Sequence, residues 1–187
     1  MILPLCETGW RVILEIAEEI KNWKGKPKEL VTFLTEKIGA DHALFPQVII
    51  LLKAGSKVEK GTSADIIEEI SINNPELVAP YLNDLIGYIN FDLPRVKWGI
   101  SQAIGNLSKK YPIETEKAIP KLLINTKDES TVVKWCAAFA ITEIAKNNTA
   151  AQSMLLPKMQ QIAESEKNNG VKNVYLKAIK KITPKKA

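Results

Sequence analysis

The chain has 187 residues, 45% of them hydrophobic and 25% charged, a size and balance that fit one domain with a real core and exclude a disordered chain. No run reaches the roughly 18 consecutive apolar residues of a membrane span, and the opening Met1-Ile2-Leu3-Pro4-Leu5-Cys6 lacks the pattern of a signal peptide, so a cytoplasmic protein that does not enter membranes is expected. The net charge of +5 is uneven: eight lysines and two glutamates fall from Ala150 onward, a balance of +6, leaving the preceding residues at about −1.

The first helical period is Trp10, Ile13, Leu14, Ala17, Ile20 and Trp23, with Thr8 as a fair N-cap. Gly25 and Pro27 break it from a second helix running to about Ile38. Further breaks fall near Gly39–Asp41, Gly55–Gly61, Asn73–Pro75, Asn90–Pro94, Tyr111–Pro112, Lys127–Ser130, Asn147–Thr149 and Asn168–Gly170. Asp92 is placed to cap a helix whose early turn holds Pro94, and Asn73 with Glu76 has capping-box spacing. No alternating strand pattern occurs, so the expected fold class is all-α, with antiparallel helix pairs.

The helices repeat. Val96-Lys97-Trp98, Val133-Lys134-Trp135 and Val171-Lys172-Asn173 each open a segment with Ala-Ile at its eighth and ninth positions and an aliphatic residue at its twelfth. Prolines recur in the intervening apolar segments, at Pro46, Pro80, Pro120 and Pro157, where each should bend a helix.

This pattern resembles HEAT repeats, whose second helix reads Asp, then Val-Arg, then Ala, Ala-Leu-Gly and Leu. Asp92, Val96-Lys97, Ala103-Ile104-Gly105 and Leu107 follow it with Lys for Arg, as do Asp128, Val133-Lys134, Ala137, Ala140-Ile141 and Ile144. The match is strong from Pro75 to Ile182; the second helix near Thr62–Asn73 keeps only Ile66, Ile67 and Ile70. The resemblance implies a right-handed α-solenoid of about five antiparallel helix pairs, one HEAT-like, armadillo-type domain over residues 1–187. It also implies an ion-pair ladder between repeats in which Asp92, Asp128, Lys97 and Lys134 are structural.

In stacked HEAT pairs the second helices line the concave face. Trp98 and Trp135 take the position opposite the core, with Gln102 and Phe139 at a flank and Lys109 and Lys146 nearby. Tryptophans in register form a recognition platform for a peptide, a helix or an unstacked base, or else fold over the adjacent repeat. The lysines Lys172, Lys177, Lys180, Lys181, Lys185 and Lys186 attract acidic partners or serve as a solvated end cap.

Catalysis is not expected. One histidine, His42, and two cysteines, Cys6 and Cys136, supply neither a metal set nor a nucleophile–base pair, and no phosphate loop is present. The His-Glu motifs of HEAT-type hydroxylases are missing and nothing marks a bilin site, so no cofactor or metal is expected. HEAT-like alkylated-DNA glycosylases use concave tryptophans, an Asp and basic residues. Here Asp is lacking beside Trp98 and Trp135, and arginine is limited to Arg11 and Arg95. The expected function is a non-catalytic scaffold binding a protein or peptide. A nucleic-acid-binding HEAT-like protein is the alternative.

Overall fold

The computed structural model describes residues 7–183, with side chains from Glu15 onward. Among these residues the structure is all-helical, without strands. The Cys6 reading, the side chains of Trp10 and Arg11, and the Lys185–Lys186 end lie outside the described residues. The elements are α1 (Glu7–Asn22), α2 (Pro27–Ala40), the 3₁₀ turn η1 (His42–Leu44), α3 (Phe45–Ala54), α4 (Lys57–Asn73), α5 (Pro75–Val78), the 3₁₀ turn η2 (Ala79–Tyr81), α6 (Leu82–Tyr88), α7 (Pro94–Leu107), α8 (Pro112–Glu116), α9 (Ile119–Asn125), α10 (Thr131–Asn147), α11 (Thr149–Ser165) and α12 (Asn169–Ile182).

Three of the four repeated prolines start a helix or a 3₁₀ turn instead of bending a helix from within. Pro46 is the second residue of α3 after η1, Pro80 sits in the turn that divides α5 from α6, and Pro120 is the second residue of α9. Pro157 alone is carried inside a continuous helix, α11. A proline has no N–H to give the preceding turn and its ring crowds the carbonyl four residues back, so the first three helices break or tighten at that point.

α4 and the Val-Lys helices α7, α10 and α12 behave differently. α4 packs on α2 and on α7, α7 on α10, and α10 on α12, while α3, α6, α9 and α11 pack against the helices that follow them. Their inward stripes are aliphatic and fully buried: Ile67 and Ile70 of α4, Val96, Ile100 and Ile104 of α7, Val133, Ile141 and Ile144 of α10, Val171 and Ala178 of α12. Close approach is permitted by glycine. An added Cβ would stand 2.9 Å from the Ala64 carbonyl oxygen at Gly99, and 2.7 Å from a Phe139 ring carbon at Gly105.

Several expected helix starts are corrected. Thr8 lies inside the first turn of α1, which begins at Glu7. Asp92 does not cap α7; Leu93 takes the N-cap position with extended backbone, and Pro94 removes one of the amides a cap would serve. Asn73 ends α4, and Glu76 pairs with Lys110 at 2.9 Å instead of closing a capping box. Gly61 is not a break: α4 begins at Lys57, capped by the reciprocal Ser56–Glu59 box, and Gly61 makes room for Arg95, whose Cδ would lie 2.7 Å from an added Cβ. Side-chain caps also stand at Asp41, Ser130, Asn148 and Asn168.

An ion-pair motif repeats across the chain. Lys97 donates to Asp128 at 2.7 Å, and Lys134, the equivalent lysine, donates to Glu166 at 3.0 Å. Each acid also accepts a backbone N–H two residues on, Asp128 from Ser130 and Glu166 from Asn168. Asp128 therefore ties the α9–α10 loop to α7, and Glu166 ties the α11–α12 loop to α10. Asp92 is exposed and makes no ion pair among the described residues. Burial alone would raise the Asp128 carboxyl; the bonds from Lys97 and Ser130 outweigh it and hold the group below its ordinary range. The backbone bond from Asn168, against burial and with help from Lys134, does the same for Glu166.

Both acids titrate lower folded than unfolded, so the stability they add is complete above the unfolded value of about 4 and disappears as pH falls through the lower folded values. An Asp128→Asn, Glu166→Gln variant should therefore lose less melting temperature than the wild type between about pH 5 and pH 2. Parallel Tm–pH curves for the two proteins would refute this.

Candidate interaction groove

The outward side of α10 carries Trp135 and Phe139 one turn apart. Their rings are parallel, with an interplanar angle of 3° and centroids 6.0 Å apart. Four-residue spacing puts the two side chains on one stripe of the helix. Phe139 is held from beneath by Gly105 of α7, which has no side chain to keep it away. Trp135 remains 39% exposed, so its indole face is available to a ligand. The result is a fixed aromatic shelf.

This shelf forms one wall of a groove of about 480 Å³ between α10 and α12. The opposite wall is built from Asn173, Val174, Lys177 and Lys181, with Glu143 and Lys146 near the α10 end. Lys146 is taken up by Glu143 at 2.6 Å. Lys177 and Lys181 are exposed and form no ion pair among the described residues.

The expected site residues thus fall into two groups. Trp135, Phe139 and Lys146 meet in the groove. Trp98, Gln102 and Lys109 do not line it. Trp98 is half-buried, and its indole N–H points at an Asp65 carboxylate oxygen at 3.5 Å, the long limit of a hydrogen bond. Gln102 is half-buried on α7, and Lys109 is exposed in the turn beyond that helix.

Asp65 is the neighbour that sequence reasoning missed. An aspartate does stand beside Trp98, supplied by α4, but Arg95 engages it with bonds of 2.9 and 2.6 Å. Asp65, Glu68, Glu69 and Ile72 follow helical spacing along α4, and Ile72 is 55% exposed. Burial, and then the charges of Glu69 and Asp65, push the Glu68 carboxyl above its ordinary value. Once α4 is known to begin at Lys57, this acidic stripe is readable from the sequence.

Burial pushes the Cys136 thiol up to about 12, with the charge of Glu68 adding to it, so this cysteine stays protonated at neutral pH and is a poor nucleophile. His42 is exposed in η1. Among the described residues no three His, Cys, Asp or Glu side chains cluster as a metal site, and no helix is long and apolar enough to cross a membrane. No protein-family model matches the chain, and no curated protein matches it.

Proposed function

We propose that this chain is a HEAT-type α-solenoid of five helix pairs that acts as a non-catalytic, cytoplasmic scaffold, binding a protein partner on the face formed by α7, α10 and α12. In this reading the later pairs are η1–α3 with α4, α5–η2–α6 with α7, α8–α9 with α10, and α11 with α12, and the first consists of α1, which packs on α3 and α4, and α2, which packs on α4. The repeated Val-Lys helices, packed each on the next, support this architecture. So does the Lys–acid motif that recurs at equivalent positions.

The observation that carries the function is the Trp135–Phe139 shelf. A tryptophan held rigid by stacking and left open to solvent offers a large contact area at little entropic cost, which is how interface hot spots work. Nucleic acid is the weaker reading. The same row of helices carries the acidic residues Asp65, Glu68 and Glu69, and Arg95 is committed to Asp65. A phosphate backbone crossing this face would meet carboxylates as well as lysines.

The test is affinity capture from native lysate after nuclease treatment, comparing the wild type with Trp135→Ala, whose fold is checked by circular dichroism. The expected result is a protein partner recovered by the wild type and lost in the variant. Recovery that depends on nucleic acid would replace the protein reading with the nucleic-acid one. Identical recovery by both proteins would remove the shelf from the binding surface.

A further inference from the structure

Resting on the protein-binding reading, we infer that the α10–α12 groove takes an acidic peptide segment, with a large apolar side chain on the Trp135–Phe139 shelf and its flanking carboxylates on Lys177 and Lys181. The argument is charge complementarity within a single groove. One wall is aromatic and open; the other presents two lysines four residues apart on α12, one above the other on the same stripe. Among the described residues the one acid lining the groove, Glu143, is occupied by Lys146, which leaves Lys177 and Lys181 for a ligand.

The surroundings sharpen the choice. Along the row of helices the charge changes sign, from Glu68 and Glu69 on α4, where Asp65 is already paired with Arg95, to Lys177 and Lys181 on α12. An acidic ligand is repelled at the α4 end and held at the α12 end, so it is drawn to one place on the face. A basic ligand would be drawn to α4, away from the Trp135–Phe139 shelf. Apolar contact with the shelf sets the residence time, and the lysines set the approach and the register.

The experiment is selection of a random dodecapeptide display library on purified wild-type protein. In parallel it is run on Lys177→Glu, Lys181→Glu and on the milder Lys177→Gln, Lys181→Gln, each confirmed folded by circular dichroism. Wild-type selection should enrich peptides with one large apolar residue flanked by Asp and Glu. A peptide so selected should bind the Gln variant about 10-fold more weakly, and Trp135→Ala at least about 10-fold more weakly. On the Glu variant, selection should turn toward Lys and Arg at the same flanks. Enrichment of basic peptides on the wild type, or no enrichment on a protein that still captures a Trp135-dependent partner, would overturn the acidic ligand and leave the protein-binding reading standing. Loss of Trp135 dependence in both experiments would remove the two together.

Discussion

Phe45→Ala is expected to lower stability by about 3–5 kcal/mol. Phe45 is 1% exposed at the start of α3. Its ring meets Tyr81 of η2 edge-on, with centroids 5.7 Å apart and an interplanar angle of 62°. It therefore joins two of the proline-broken helices, where backbone hydrogen bonding is already interrupted and side-chain packing has to hold the segments together. Truncation leaves a cavity that segments fixed at both ends close only in part. Ile50→Ala, at a 39% exposed position of the same α3, should cost no more than about 0.5 kcal/mol. Urea unfolding separates two consequences. A lower midpoint with an unchanged slope means lost packing; a smaller slope means that the chain no longer unfolds as one unit. Equal midpoints for the two variants would contradict the assigned burial.

The all-helical fold was legible because its signals are local. Periodic aliphatics mark α7, α10 and α12, and Pro46, Pro80 and Pro120 mark helix starts or a 3₁₀ turn, while Pro157 is carried inside α11. Helix starts were less legible. Ser56, Ser130, Asn148 and Asn168 cap because the backbone before the helix happens to be extended, while Asp92 and Asn73 have suitable chemistry in the wrong frame. Gly61 misled for a related reason. A glycine that makes room for a neighbouring side chain looks, in one dimension, like a glycine that ends a helix.

The site was legible in part. Helical phase put Trp135 opposite the core with Phe139 at a flank, and the structure stacks their rings. The same phase argument treated Trp98 as the equal of Trp135. What distinguishes them lies on the preceding helix. Asp65 reaches Trp98 from α4, whereas Gly105 of α7 leaves the Trp135–Phe139 pair lying flat and open. Phase along one helix cannot supply the identity of the residue on its neighbour, so the groove's second wall, Lys177 and Lys181, was set apart as a basic end.

Gly99→Ala should destabilise the protein by about 1–3 kcal/mol, although alanine is the better helix former. In an open helical position the change gains roughly 0.5–1 kcal/mol by reducing the freedom of the unfolded chain. Gly87 of α6 is such a position, with nothing within 4 Å of an added Cβ, and Gly87→Ala should raise the melting temperature. At Gly99 the new Cβ would meet the Ala64 carbonyl oxygen at 2.9 Å and its carbon at 3.0 Å. Those atoms belong to the backbone of α4 and cannot rotate away, so α7 has to retreat from α4 as a body. The retreat would also pull Arg95 and Trp98 from Asp65, because all three bonds cross the same contact. Thermal unfolding of both variants should give shifts of opposite sign. Adding Ala64→Gly to Gly99→Ala removes only the farther contact, the Ala64 Cβ at 3.2 Å, so rescue should be small. Full rescue would show that side chains, not the two backbones, set the distance between these helices.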